Sequence, residues 1–238
     1  ALLENARQLG IDLNEIRAIF ISHGHYDHMG ALVSALGLSS STIPVYIHPA
    51  AFAMRRKRLS DGSYTDLPAL TEDAITDAGG ILVHVQQPTG IGDETMLLTG
   101  EIERTTAFEQ GSPILEVKEG DSFVRDVFRD DQSLIMHLKG EGLVIVSGCA
   151  HAGIINSIRY AQKITGVQKI HAVIGGFHLS GPYFKEIIPQ TVAAFQQINP
   201  TYIIPVHCTG WEAQTSIATA MPHAFVLSTV GTTFYFGN

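Results

Sequence analysis

Ser22-His23-Gly24-His25-Tyr26-Asp27-His28 closes the apolar stretch Ile16-Arg17-Ala18-Ile19-Phe20-Ile21, and so sets three imidazoles and a carboxylate at the mouth of a buried strand. Side chains alternate along an extended segment, so His23 and His25 point the same way and can grip one ion from one side, while Asp27 and His28 face elsewhere. Met29 to Leu36 carries Met29, Leu32, Val33 and Leu36 at helical spacing, which predicts a short helix that starts at the loop and fixes it. Packed together without a cation, these groups lose solvation and gain little. The stretch therefore reads as a metal-binding loop with room for two ions.

Three later motifs share a strand-then-histidine layout. They are Ser147-Gly148-Cys149-Ala150-His151-Ala152-Gly153 after Leu143 to Val146, Ile174-Gly175-Gly176-Phe177-His178-Leu179 after Ala172-Val173, and Ile204-Pro205-Val206-His207-Cys208-Thr209-Gly210. With the H-x-H-x-D-H run they make the chain resemble the metallo-β-lactamase superfamily. Within it the likeness is greatest to the branch of 7,8-dihydropterin-6-ylmethyl-4-(β-D-ribofuranosyl)aminobenzene 5′-phosphate synthases, and it covers nearly the whole sequence.

That resemblance implies an α/β fold, the four-layer αββα sandwich, with metals at one end of two sheets. It implies that His23, His25 and His151 hold one divalent ion and that Asp27, His28 and His207 hold a second. Zinc is the first choice for this imidazole-rich set, with iron, manganese or magnesium as alternatives. The superfamily places a bridging aspartate after a glycine at a strand end, where this chain has Gly148-Cys149. Three alternatives stand: His151 fills that region, Asp130 or Asp131 supplies a carboxylate from the neighbouring strand, or the second ion is weakly held. Asp27, as a ligand that steers the nucleophile, and His178, as a substrate-facing group or reserve ligand, are the catalytic candidates.

Two divalent cations, the Asp27 carboxylate and a bridging hydroxide leave a surplus of about two positive charges, which favours anionic small molecules. The resemblance implies loss of diphosphate from a pterin methylene, with a ribosylated aniline as nucleophile. One alternative is a hydrolase of a phosphodiester, ester or lactone; another is a non-catalytic metal or ligand sensor.

A chain of 238 residues, 45% hydrophobic and 16% charged, can bury one large core, so residues 1–238 are expected to form a single domain. The formal charge of −8 argues against a general nucleic-acid binder. No apolar run approaches the roughly 18 to 20 residues of a membrane span, no signal segment opens the chain, and a cytoplasmic protein is expected. The only cysteines, Cys149 and Cys208, make no disulfide framework and fit a reducing compartment. Both flank motif histidines, and packing as small hydrophobes competes with a role as thiolate ligands or a redox pair.

Leu2 to Leu9 reads as a helix stopped by Gly10, and the strands that precede such a helix in the resembled family are expected to be lacking, exposing a sheet edge. After the strand around Pro44 to Pro49, residues from about 50 to 107 break the strand-helix rhythm and are expected to form an inserted lid. Its run Arg55-Arg56-Lys57-Arg58 is either a solvated helix face or a phosphate clamp built on Arg55, Arg56 and Arg58. Thr99-Gly100-Glu101-Ile102-Glu103-Arg104 and Phe108-Glu109 suggest backbone hydrogen bonding.

Gln132 to Leu138 and Leu143 to Val146 flank a Lys139-Gly140-Glu141-Gly142 turn and predict a hairpin. Helices follow near 154–164, 185–197 and 211–220, with strands at 170–174, 202–205, 224–227 and 233–236. Tyr26, Phe177, Tyr183 and Trp211 are aromatic residues beside the motifs that either stack on a planar ring or serve the core.

Overall fold

The computed structural model describes residues 1–92 and 95–237. In chain order it gives α1 (Leu2–Leu9), β1 (Ile19–Phe20), α2 (Tyr26–Met29), α3 (Leu32–Leu36), β2 (Ile43–Ile47), β3 (Arg55–Arg58), β4 (Tyr64–Asp66), α4 (Glu72–Asp77) and β5 (Gly80–His84). Next come β6 (Thr89–Ile91), β7 (Met96–Leu98), β8 (Leu115–Glu119), β9 (Ser122–Arg125), β10 (Ser133–Leu138) and β11 (Gly142–Ser147). The chain continues through α5 (Ile154–Thr165), β12 (Ile170–Gly176), α6 (Ile188–Ile198), β13 (Tyr202–Val206) and α7 (Trp211–Ala220). Two compact units emerge, Ala1–Gln86 with Pro113–Asp130, and Gln87–Ser112 with Asp131–Asn238.

In the first unit β1, β2 and β5 form a parallel sheet, with Ile19 opposite Val45 and Val45 opposite Leu82. The I-P-V-Y-I sequence of β2 alternates as a half-buried strand should: Ile43, Val45 and Ile47 are buried, while Pro44 and Tyr46 are less so. Met29, Leu32 and Leu36 from α2 and α3 and Ile75 from α4 pack on this row. Each such side chain contributes about 1.5–3 kcal/mol when fully removed from water.

The second sheet of this unit runs β4-β3-β8-β9 and is antiparallel. Its strand β3 is the basic run, so the helix-face reading of Arg55–Arg58 gives way to a strand. Arg56 lies opposite Glu116 in register and pairs with it at 2.6 Å. Its guanidinium sits 3.8 Å from the Tyr64 ring centroid and 4.0 Å from that of Phe123. Cross-strand charge pairing and aromatic faces make a strand tolerable for four consecutive cations.

The second unit holds a six-stranded sheet in the order β13-β12-β11-β10-β7-β6. Strands β10 and β11 form the expected hairpin, from Ser133 opposite Ser147 to Leu138 opposite Gly142. Strands β11, β12 and β13 are parallel, and α5 and α6 make the crossovers. Ile135, Leu143, Ile145, Val173 and Ile203 from the sheet share a buried core with Ile154 and Ile158 of α5, Phe195 of α6 and Ile217 of α7.

Two differences from the sequence reading stand out. Residues 50–107 supply strands to all three sheets: β3 and β4 to one, β5 to another, β6 and β7 to the third. The closing strands expected at 224–227 and 233–236 are reduced to one parallel bridge between Ile203 and Phe225. The alternating Phe234 and Phe236 are satisfied by ring packing, stacked 6.3 Å apart with Phe236 5.7 Å from His171. No described helix is long and apolar enough to cross a membrane.

Candidate metal centre

β1 delivers the chain extended into Ser22, and it turns helical at Tyr26, with His25 as the extended residue before α2. The His23 and His25 rings lie 4.8 Å apart between centroids, as an H-x-H pair on one face should. The helix begins three residues earlier than the expected one at Met29. His28 is thereby folded back, its ring 4.2 Å from that of His23, and does not face away. Asp27 is exposed, with Oδ2 3.4 Å from His28 Nε2. Three imidazoles and a carboxylate gathered within one loop form a donor set that fits a divalent transition-metal ion.

Gly24 sits between the two histidines because nothing larger fits: a Cβ there would lie 2.0 Å from the Ala51 carbonyl oxygen. Its N–H donates to Asp130 Oδ2 at 2.7 Å. Asp130 Oδ1 accepts from Arg55 Nη2 at 2.6 Å, and Arg55 Nε donates to Asp126 Oδ2, also at 2.6 Å. All three charged side chains are buried. Burial pushes the Asp130 carboxyl up to about 6, against the opposing pull of Arg55 and of the Gly24 N–H. Asp130, weighed as a bridging carboxylate, thus spends both oxygens holding the loop, and Arg55 spends its guanidinium on that carboxylate and on Asp126. Arg56 is committed to Glu116, while Arg58 is exposed.

In the second unit the other three motifs follow the carboxyl ends of adjacent parallel strands, with Ser147 opposite Gly175 and Gly176 opposite Val206. Loops that leave neighbouring parallel strands at the same end converge, which is how residues distant in sequence meet here. His151 and His178 have ring centroids 4.2 Å apart, and His178 meets Phe184 edge-on at 4.8 Å. Ala150, His178 and His207 all carry positive φ, at 53°, 46° and 50°. Such backbone costs energy at residues with a Cβ, and it gathers at sites whose geometry matters. The Cys208 thiol is drawn down to about 5, chiefly by a hydrogen bond with Cys149 and further by His178, with burial opposing.

The segment Thr99 to Glu109, to which sequence reasoning assigned only backbone hydrogen bonding, is the clamp of the His151 loop. Arg104 donates to the carbonyls of His151 and Ala152, both at 3.1 Å. Glu109 accepts from the N–H groups of Ile155 and Asn156 at the start of α5, at 2.8 and 2.9 Å, and from the Thr106 hydroxyl. Asn156 Oδ1 in turn accepts from Thr105 and Thr106 N–H. Asp131 takes the Ala152 N–H at 2.9 Å. Burial raises the Glu109 carboxyl above its ordinary value, although these donors and Arg104 oppose the shift.

A hollow of about 20 Å³ lies beside His151, His178 and Phe184. A much larger one, about 630 Å³, is lined by His171, Tyr202, Phe234 and Phe236 and by none of the motif histidines or cysteines. Among the ring candidates, Phe177 is buried against Phe195 and serves the core, whereas Tyr26, Tyr183 and Trp211 are exposed.

The family model of the metallo-beta-lactamase superfamily matches residues 1–147. The chain belongs to the metallo-beta-lactamase superfamily. A 7,8-dihydropterin-6-methyl-4-(beta-D-ribofuranosyl)-aminobenzene-5′-phosphate synthase of Methanocaldococcus jannaschii is 33% identical over 220 residues, which span 90% of this chain and 73% of that protein. An uncharacterized protein of the same organism, MJ0448, is 28% identical across 84% of this chain and 72% of its own length. Among solved structures, Tm1679, described as a metal-dependent hydrolase of the beta-lactamase superfamily, superposes with a TM-score of 0.80 at 28% identity, covering 99% of this chain and 85% of that one. YhfI from Bacillus subtilis, 12% identical with a TM-score of 0.52 over 95% and 81% of the two chains, shares the fold. This superfamily member therefore has the metallo-beta-lactamase fold, as its four histidine motifs implied.

Proposed function

We propose that this protein is a metal-dependent enzyme that acts on a phosphorylated small molecule, by a reaction of the kind named for its Methanocaldococcus jannaschii relative. The observation that carries the reading is the gathering of His25 and His28 about His23, with ring centroids 4.8 and 4.2 Å from that of His23. In this reading the ligands that the first unit supplies are His23, His25, Asp27 and His28, and those that the second unit supplies are His151 and His207. Bound ions would supply Lewis-acid stabilisation to the negative charge that develops on a leaving phosphate.

The chain's own groups do the positioning. Asp130 and Gly24 fix the spacing of the H-x-H pair, while Arg104, Asp131 and Glu109 fix the loop that carries His151. Asp27 has an exposed carboxylate and can steer a nucleophile, and His178 is the substrate-facing group or reserve ligand. Lys57 and Arg58 are the exposed members of the basic run, and Arg58 is the one of the three candidate arginines left to meet an anion at the surface.

A second reading, hydrolysis of a phosphodiester, ester or lactone, draws on the likeness to Tm1679. The test is metal analysis by mass spectrometry on protein purified without added metal, run beside turnover of a dihydropterin diphosphate with an aminobenzene ribofuranosyl phosphate and of simple diesters, esters and lactones. Bound metal with turnover of the pterin alone supports the synthase reading. Hydrolysis of a simple ester or diester supports the hydrolase, and metal-free protein without turnover overturns both.

A further inference from the structure

We propose that Cys149, His178 and Cys208 form a sulfur-containing site for a borderline-to-soft divalent cation such as Zn²⁺ or Cd²⁺. The site rests on the metal-centre reading above and deepens it with sulfur donors, for Cys149 also has its sulfur within 4.8 Å of a ring nitrogen of His151 and of one of His207. One donor atom from each of these three residues lies within 4.8 Å of the others. They are the only two cysteines in the sequence, brought together across 59 positions, with a histidine from a third motif.

The placement follows from the sheet. Cys149 follows β11, His178 follows β12 and Cys208 follows β13, three parallel strands in adjacent register, so their separation is set by hydrogen-bonded backbone. Room for the sulfur is made by Gly176, where a Cβ would lie 2.7 Å from Cys208 Sγ. His178 holds positive φ, and its Nδ1 is buried without a hydrogen-bond partner among the described residues. A buried imidazole nitrogen beside two thiols, on strained backbone, is better accounted for by a cation than by packing.

The donor chemistry selects the ion. Two thiols and an imidazole make a Cys₂His set, which leaves a fourth position of a tetrahedral ion open. Thiolates favour Zn²⁺ and Cd²⁺ over Mg²⁺ or Ca²⁺, which prefer oxygen. Binding forms two metal–sulfur bonds, and whatever thiol proton is still held at the working pH is released to solvent. Cys208 is only half-buried, which gives the ion an approach, whereas Cys149 is buried.

The full chain, reduced and stripped of metal with a chelator, is titrated with Cd²⁺ while ultraviolet sulfur-to-metal charge-transfer absorption is followed. The expected result is a band that saturates with a single ion, disappears in Cys149→Ser and in Cys208→Ser, and weakens about tenfold or more in apparent affinity in His178→Ala. The band should persist in His23→Ala/His25→Ala. A band that is absent, or one that survives loss of both thiols, overturns the site. A measurement free of variants uses the rate at which a disulfide reagent modifies the thiols: stoichiometric Zn²⁺ should slow it about tenfold or more, and an unchanged rate overturns the proposal. An absent band with metal still bound through the histidines sinks this site alone. A present band without turnover sinks the enzyme reading alone.

Discussion

The N–H of Gly24 donates to Asp130 Oδ2 at 2.7 Å, which ties the residue between His23 and His25 to a fully buried carboxylate. The other oxygen of Asp130 takes Arg55, and Arg55 takes Asp126. The spacing of the H-x-H pair is thereby set by a buried ion cluster, so the stability of the fold and the geometry of the loop share one set of contacts.

Asp130→Ala should therefore damage both. Removing one partner of a buried, hydrogen-bonded ion pair costs about 3–5 kcal/mol, because Arg55 and the Gly24 N–H lose an acceptor they cannot replace. Metal affinity should fall about tenfold or more as the loop loosens. Urea unfolding and competition with a chromophoric chelator measure the two effects. Wild-type metal affinity in a folded variant would remove Asp130 from the site's support.

The same carboxyl sets an expected pH dependence. Its folded value, pushed up to about 6 by burial, lies above the ordinary 3.8, so the protonated form is favoured by folding. Its contribution is present in full below about pH 4 and is lost as pH rises through about 6. The stability of wild type relative to Asp130→Asn should decline over that window in denaturation curves taken at several pH values. A rising difference would show that the Arg55 ion pair outweighs burial.

His25→Ala should remove a ligand and lower bound metal together with activity, while leaving the helix and sheet content unchanged. Metal content after gel filtration, read by mass spectrometry beside circular dichroism, gives the answer. Full retention of metal would end the assignment of the loop.

The four histidine motifs were legible because metal chemistry concentrates in few residue types and because each motif follows an apolar strand. The hairpin at Lys139 to Gly142 and the helices at α5 and α7 were legible for the ordinary reason that turn residues and apolar spacing agreed. What was not legible lies in pairings that no local period encodes. Arg55 reads as a surface cation until its partners, 71 and 75 positions away, are known. Glu109 gives no sign of reaching Asn156, 47 positions on. The return of His28 toward His23 was missed because the helix was started at Met29, and a three-residue change in a helix start reorients a side chain completely.

The basic run makes a divided expectation. Arg55→Ala should unfold or severely destabilise the protein, by about 3–5 kcal/mol, since it strips two buried carboxylates of their counter-ion. Arg56→Ala should cost about 1–2 kcal/mol through the lost Glu116 pair and the Tyr64 and Phe123 ring contacts. Arg58→Ala should leave stability unchanged and raise KM for a phosphorylated substrate with kcat unaltered. An unchanged KM would return Arg58 to the solvated surface.

Glu109→Gln separates the clamp of the His151 loop from its ligand. The carboxylate accepts from Ile155, Asn156 and Thr106, and an amide can replace only one of its two oxygens, so an N–H at the start of α5 meets another donor. The expected cost is about 1–3 kcal/mol, with weaker metal binding than in a surface control. Because burial raises the Glu109 carboxyl above 4.5, its ionised form is the less favoured one in the fold. Its contribution to stability is therefore present below about 4.5 and lost as pH rises through the elevated value. The gap between wild type and Glu109→Gln should accordingly be widest in acid and narrow toward neutrality. A gap that widens as pH rises would mean that the three donors and Arg104 hold the carboxylate ionised, and that Glu109 anchors the loop through its charge.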